Sequence, residues 1–213
     1  MKIVKKLWLL PILCVAIVAF NSCEKESEEL PVGHPTEENG VEINGIVWAT
    51  RNVGSFGTFA ARPESPGMFY QWNRPTAWYP SGSVSGWDST PAEGETWETE
   101  NDPCPPGWRV PTQEELNNLR QRPNEWTTEN GVEGRRFGTA PYQIFLPAAG
   151  HRGNNEGTPL AQERDRSGSY WSSTSGPNAA NGVELFINSS RAVIFNTYNR
   201  AFAQSIRCVA VDN

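Results

Sequence analysis

The chain has 213 residues and a net charge of −6, with no basic patch, which excludes a nucleic-acid-binding protein. Nine Trp, together with 19 Gly and 17 Pro, exclude a helical bundle and point to a loop-rich, β-leaning domain. All four lysines (Lys2, Lys5, Lys6, Lys25) precede residue 26, so beyond it every permanent side-chain cation is Arg, which suits bidentate carboxylate pairs and stacking on aromatic rings.

Residues 1–22 read as a secretory leader: Lys2, Lys5 and Lys6 form a positive start, and an apolar run follows that is too short for a membrane span. Phe20-Asn21-Ser22-Cys23 resembles the relaxed lipobox of bacterial lipoproteins. That implies cleavage before Cys23 and acyl chains of the palmitate type on it, each buried CH₂ adding about 0.8 kcal/mol to membrane attachment. The competing reading is ordinary cleavage that leaves a free thiol. Residues 23–39 read as a flexible tether, with six Glu against one Lys, no aromatic residue, and Pro31 and Pro35 as breakers. Glu24, Glu26, Glu28 and Glu29, directly after Cys23, resemble signals that send some lipoproteins to the outer face of the outer membrane. A merely solvated, periplasm-facing linker is the alternative.

The folded part is expected over residues 40–213. Asn44-Gly45, flanked by Val41, Ile43, Ile46 and Trp48, is a strong hairpin signal, because both turn residues must take positive φ. Residues 67–103 scatter aromatic residues among Gly, Ser, Pro and Thr, with no period beyond residues 69–72. Two readings stand for them. The rings either form a satellite core that holds irregular backbone, or some are exposed as a stacking platform for sugars or peptides. The candidate ligand-binding residues on the second reading are Tyr70, Trp72, Asn73, Arg74, Trp78, Trp87 and Trp97.

Residues 102–116 are the densest in special residues: Cys104, three prolines at 103, 105 and 106, Trp108, and Thr112 followed by Glu115 as a capping box. They predict a helix over 112–120 with Leu116 and Leu119 inward. Strands are expected at 131–138 (after a turn), 143–149, 169–173, 183–188, 192–197 and 204–211, with a polar loop at 150–167. Cys104 and Cys208 form an even pair in an exported domain and are predicted to be disulfide-bonded. The loop closed is roughly a hundred residues, for which chain entropy gives about 4–5 kcal/mol. The 102–116 stretch therefore reads as an anchor tying the helix to the last strand, and ligand chemistry is placed upstream of it, among the tryptophans.

No catalytic set emerges. His34 lies in the tether and His151 has no nucleophile beside it. There is no Gly-x-Ser-x-Gly, His-Glu-x-x-His, Cys-x-x-Cys, phosphate-cradling Gly loop or calcium loop. A carboxylate pair of the glycosidase type would meet only in space. No cofactor and no metal are expected. Two short motifs remain: Asn188-Ser189-Ser190 is an N-glycosylation sequon, and Asp88-Ser89-Thr90 resembles an O-glycosylation motif of some exported bacterial proteins.

Several stretches, in order across residues 41–213, resemble the Fibrobacter succinogenes major paralogous domain. They are Ile43-Asn44-Gly45-Ile46-Val47-Trp48-Ala49-Thr50-Arg51-Asn52-Val53, then Gly67-Met68-Phe69-Tyr70-Gln71-Trp72-Asn73-Arg74, then residues 102–116. Asn130-Gly131-Val132 with Gly134-Arg135-Arg136-Phe137-Gly138, Leu146-Pro147-Ala148-Ala149-Gly150 with Arg152, Tyr170-Trp171-Ser172-Ser173-Thr174 and Arg207-Cys208-Val209-Ala210 follow. The resemblance implies a C-type-lectin-like α+β fold, with loop-rich antiparallel sheets and one clear helix, in a surface or secreted lipoprotein. The motifs by which calcium-dependent lectins hold sugar are absent, since Trp72-Asn73 continues into Arg74. The catalytic cysteines of the formylglycine-generating branch are absent too.

The expectation is thus a lipoprotein of the outer membrane, facing the cell surface and held by lipid at Cys23, with a non-catalytic domain that binds glycan or a surface protein. A structural module of a larger surface complex is the alternative, and an unrecognised hydrolase comes third.

Overall fold

The structure, a computed structural model, describes residues 39–160 and 163–211. The leader, Cys23 and the tether up to residue 38 lie outside the described residues. Among the described residues the fold is α+β: four antiparallel sheets, one α-helix, and long loops between them.

β1 (Gly40–Ile43) and β2 (Ile46–Ala49) form the hairpin that Asn44-Gly45 predicts, with φ of 55° and 79° at the two turn residues. β3 (Phe69–Gln71) and β4 (Ala77–Trp78) follow, then a 3₁₀ turn at Thr99–Asn101 and β5 (Trp108–Arg109). The helix α1 is Gln113–Arg120, capped by Thr112 with both bonds of the capping box present. An eight-residue helix is marginal alone. Here Leu116 and Leu119 are buried, and each contributes roughly 1.5–3 kcal/mol. Arg109 adds a bidentate pair to Glu115, at 2.9 and 2.6 Å.

β6 (Asn124–Glu129), β7 (Val132–Thr139) and β8 (Tyr142–Pro147) make a meander. β9 (Ser167–Ser175), β10 (Asn181–Asn188) and β11 (Ala192–Asn199) make the second large sheet, and α1 packs against it. The expected final strand over 204–211 is two short ones, β12 (Ala203–Gln204) and β13 (Val209–Ala210). β12 pairs with β3, whereas β13 lies between β2 and β5. The chain changes sheets between them, and the crossing turns the Arg207 side chain inward.

Two main clusters share the interior. One surrounds Trp48, Leu116, Leu119, Tyr170 and Leu185. The other holds Tyr70, Trp72, Trp108, Trp171 and the Cys104–Cys208 disulfide, which forms as predicted.

Three fully buried arginines organise the loops, and their acceptors are carbonyls and an amide rather than the carboxylates expected of Arg here. Arg207 donates to Asn52 Oδ1 twice, at 3.0 and 2.8 Å, and to the carbonyls of Ala49 and Phe145. Burial lowers its pKa to about 10. Arg152 donates to the carbonyls of Tyr79, Gly157, Ser81 and Gly82. Arg200 donates to those of Asn181, Ala92 and Gly94. A guanidinium carries five donors in a fixed fork, so one side chain can satisfy several loop carbonyls that no strand pairs.

Candidate functional site

A cleft of about 680 Å³ opens where residues 102–112 pass the end of the β1-β2-β13-β5 sheet. Five segments meet there, tied by backbone bonds. Gly57 donates to Pro103 O at 3.0 Å and Trp97 to Ser173 O at 3.1 Å. Ser173 donates to Pro111 O at 2.7 Å and Val211 to Gly107 O at 3.0 Å. The volume lies within the range of ligand sites, roughly 300–1,000 Å³.

The walls are apolar: Phe56, Trp97, the Cys104 half-cystine, Pro105, Pro106 and Trp108. Val211 and Val110 extend them, and Thr96, Thr99, Thr112 and Ser173 supply hydroxyls. Phe56 and Val211 are 46% and 47% exposed, two of the four large apolar side chains left open among the described residues. Trp97 and Trp108 are almost wholly buried and offer little ring surface. Each is wedged by another ring: Trp72 lies 5.7 Å from Trp97, and Phe59 meets Trp108 edge-on at 5.4 Å. The Trp97 indole N–H donates to Asn101 O at 2.9 Å.

Asp102 is the one carboxylate lining the cleft. Its Oδ1 accepts from the Cys104 N–H and its Oδ2 from the Val110 N–H, both at 2.9 Å. Burial nevertheless raises its pKa, against the lowering effects of those bonds and of Arg109. Both oxygens are used to shape the loop, and the cleft lacks the second carboxylate of a glycosidase pair. Its surface can exclude water from an apolar group and fix a small number of polar atoms. It contains no nucleophile with an adjacent base.

Of the seven residues that the sequence offered for ligand contact, the cleft contains Trp97 alone. Tyr70 and Trp72 are fully buried and cannot meet a ligand, which corrects their reading as a platform. The Tyr70 hydroxyl donates to Gly54 O at 2.7 Å, and burial raises its pKa. The Trp72 indole donates to Ser172 O at 3.0 Å. Asn73 is buried at φ 53°, where its amide ties Glu93, Glu98 and Asn101 together. Arg74 pairs with Asp88 at 2.6 Å.

Trp78 and Trp87 remain half-buried. Their rings are 5.0 Å apart and tilted by 48°, so they do not form a coplanar pair. The Trp87 indole donates to Asn154 O at 3.0 Å, and its ring lies on Gly157. The rings of this stretch are thus divided: Trp72 and Trp97 join a main cluster, Trp78 and Trp87 pack against a smaller one, Tyr79 stays exposed, and buried arginines bind the loop's carbonyls.

The stretch that reads in sequence as a pure anchor thus also forms the cleft wall. One local signal pointed there, Phe56 between small residues in Gly54-Ser55-Phe56-Gly57, which leaves a large ring without a pattern to bury it.

Elsewhere, His151 is buried beside Tyr198 Oη at 3.0 Å and against Phe202. Burial lowers its pKa, although Glu163 opposes this. Glu184 is fully buried, accepts from the Gln204 amide at 2.5 Å, and has its pKa pushed up to about 8 by burial. Among the described residues no group of His, Cys, Asp and Glu is placed to hold a metal. Comparison of the chain with protein-family models, with curated proteins and with solved structures finds no match.

Proposed function

We propose that this chain is a surface lipoprotein, anchored through Cys23 on an acidic tether, whose domain binds a partner without catalysis. The domain is read as C-type-lectin-like and related to the Fibrobacter succinogenes major paralogous domain. The antiparallel, loop-rich α+β architecture supports this reading, as does a sheet in which β2 from the start of the domain pairs with β13 from its end.

The observation that carries the binding reading is the apolar cleft beside the disulfide, bordered by the open side chains of Phe56 and Val211. Of the two ligand classes, a protein partner suits it better than a glycan. A sugar ring stacks on a flat aromatic face, and the two cleft tryptophans are 8% and 7% exposed. An apolar side chain inserted between Phe56 and the Pro105-Pro106 wall would bury surface at about 25 cal/mol per Å². The structural module of a surface complex is the related alternative, and it would use the same cleft permanently.

The test is a parallel screen of the chain from residue 24 onward against a glycan panel and against surface proteins of its source, with Phe56→Glu as control. Phe56 is open, so the variant should fold and lose protein binding at least tenfold. Glycan binding that Phe56→Glu leaves intact would overturn the assignment of the cleft.

A further inference from the structure

We propose that Ser89 is a site of O-linked sugar attachment. The Asp88-Ser89-Thr90 triplet lies in the loop between β4 and β5, and Ser89 and Thr90 are exposed. The two flanking side chains are committed. Asp88 Oδ1 accepts from the Thr90 N–H at 2.9 Å and from the Thr90 hydroxyl at 2.6 Å. Asp88 Oδ2 pairs with Arg74 at 2.6 Å. Arg74 also donates to the Thr90 carbonyl at 3.0 Å. The Ser89 hydroxyl makes no hydrogen bond among the described residues. The turn is held by its neighbours, and the one free hydroxyl of the triplet is presented outward.

The lock persists across physiological pH, because the Thr90 hydroxyl and amide, with Arg74, hold the Asp88 carboxyl down at about 2. The anchoring runs deeper as well, since the Gln71 amide donates to the Asp88 carbonyl at 2.6 Å. A transferase would therefore meet a preformed turn and would not have to order the loop.

The second sequon gives the contrast. Asn188 Oδ1 accepts from the N–H groups of both Ser190 and Arg191, at 2.9 Å each, and so closes the β10–β11 hairpin. That turn is a tight hairpin between two paired strands, whereas Ser89 lies in the long loop between β4 and β5. In the transfer, Ser89 Oγ attacks the anomeric carbon of a diphosphate-activated sugar. The new C–O bond replaces the bond to the diphosphate, which leaves with its electron pair. The serine proton passes to a base of the transferase.

The test is mass spectrometry of the full chain purified from membranes of the organism that makes it. The peptide spanning Ser89 should be heavier by one or more sugar residues. Ser89→Ala should lose that mass and Ser89→Thr should keep it, with unchanged thermal unfolding in both. An unmodified Ser89 peptide, a phosphoryl group in its place, or sugar on Asn188 instead would each overturn the assignment.

Discussion

The guanidinium carbon of Arg200 lies 3.8 Å from the centroid of the Trp72 ring, and the same group donates to the carbonyls of Ala92 and Gly94. One side chain thus joins β11's end, the buried tryptophan and the far part of the 79–98 loop. Arg200→Lys keeps the charge and loses the planar fork, leaving buried carbonyls without donors. Each such loss costs roughly 1–3 kcal/mol. The expected outcome is a fall of about 2–4 kcal/mol in unfolding free energy, with faster amide exchange confined to residues near 92–98. Amide exchange that stays unchanged there would remove Arg200 as the organiser of the loop.

Gly157 should be intolerant of a side chain. A Cβ there would sit 2.2 Å from the Trp87 ring, and its φ is 61°. Gly157→Ala combines an overpacked contact with a strained backbone, which together cost about 1–3 kcal/mol. Trp87 would be displaced from the Asn154 carbonyl, so tryptophan fluorescence should shift to the red. An unshifted spectrum at full stability would show that the ring does not rest there.

Glu184 sets a pH dependence whose sign is fixed by its raised pKa. The folded protein keeps its proton up to about pH 8, whereas the unfolded chain releases it near 4.5. Between those values the folded state binds more protons, so stability falls as pH rises through the window. Glu184→Gln removes the titration and keeps an amide beside Gln204. Relative to the wild type, this variant should gain on the order of a few kcal/mol between pH 4.5 and 8, at about 1.4 kcal/mol per pH unit. Urea titrations of both proteins at several pH values measure the difference, and parallel curves would refute it.

The disulfide should act on stability before it acts on the cleft. It joins residues 104 positions apart, for which loop closure predicts about 4–5 kcal/mol. Replacing both cysteines with serine should lower the denaturation midpoint accordingly. The Cys104 half also lines the cleft. Partner binding should therefore weaken in the fraction that stays folded, a result that calorimetry at low temperature can separate from unfolding.

What could be read in advance was local. Asn44-Gly45 specified its hairpin because only positive φ closes a two-residue turn, and Thr112 with Glu115 specified the helix start through two short-range bonds. β6 escaped notice because its residues, Asn-Glu-Trp-Thr-Thr-Glu, show no alternation. It is an edge strand paired only with β7 and offers no continuous apolar face. The burial of Tyr70 and Trp72 was not legible either, since the groups that bury them, Ser172, Trp171 and Arg200, come from β9 and the chain just after β11, far along the sequence. The cleft is a gap between five separate segments, and no window of sequence encodes a gap.

The sheet order β1-β2-β13-β5 has a mechanical consequence. A load applied at Asn39 enters β1 and passes through β2 to β13, the strand that follows Cys208. From there it reaches β5 and the cleft wall through the pairing of Val209 with Arg109 and of Ala210 with Trp108. The β6-β7-β8 meander lies off that path, whereas Trp97 and Ser173 meet it at the cleft wall, where Ser173 donates to Pro111 O. A partner gripped in the cleft would pull against the stapled part of the molecule, and Trp97 and Ser173 would share the tension through their backbone bonds.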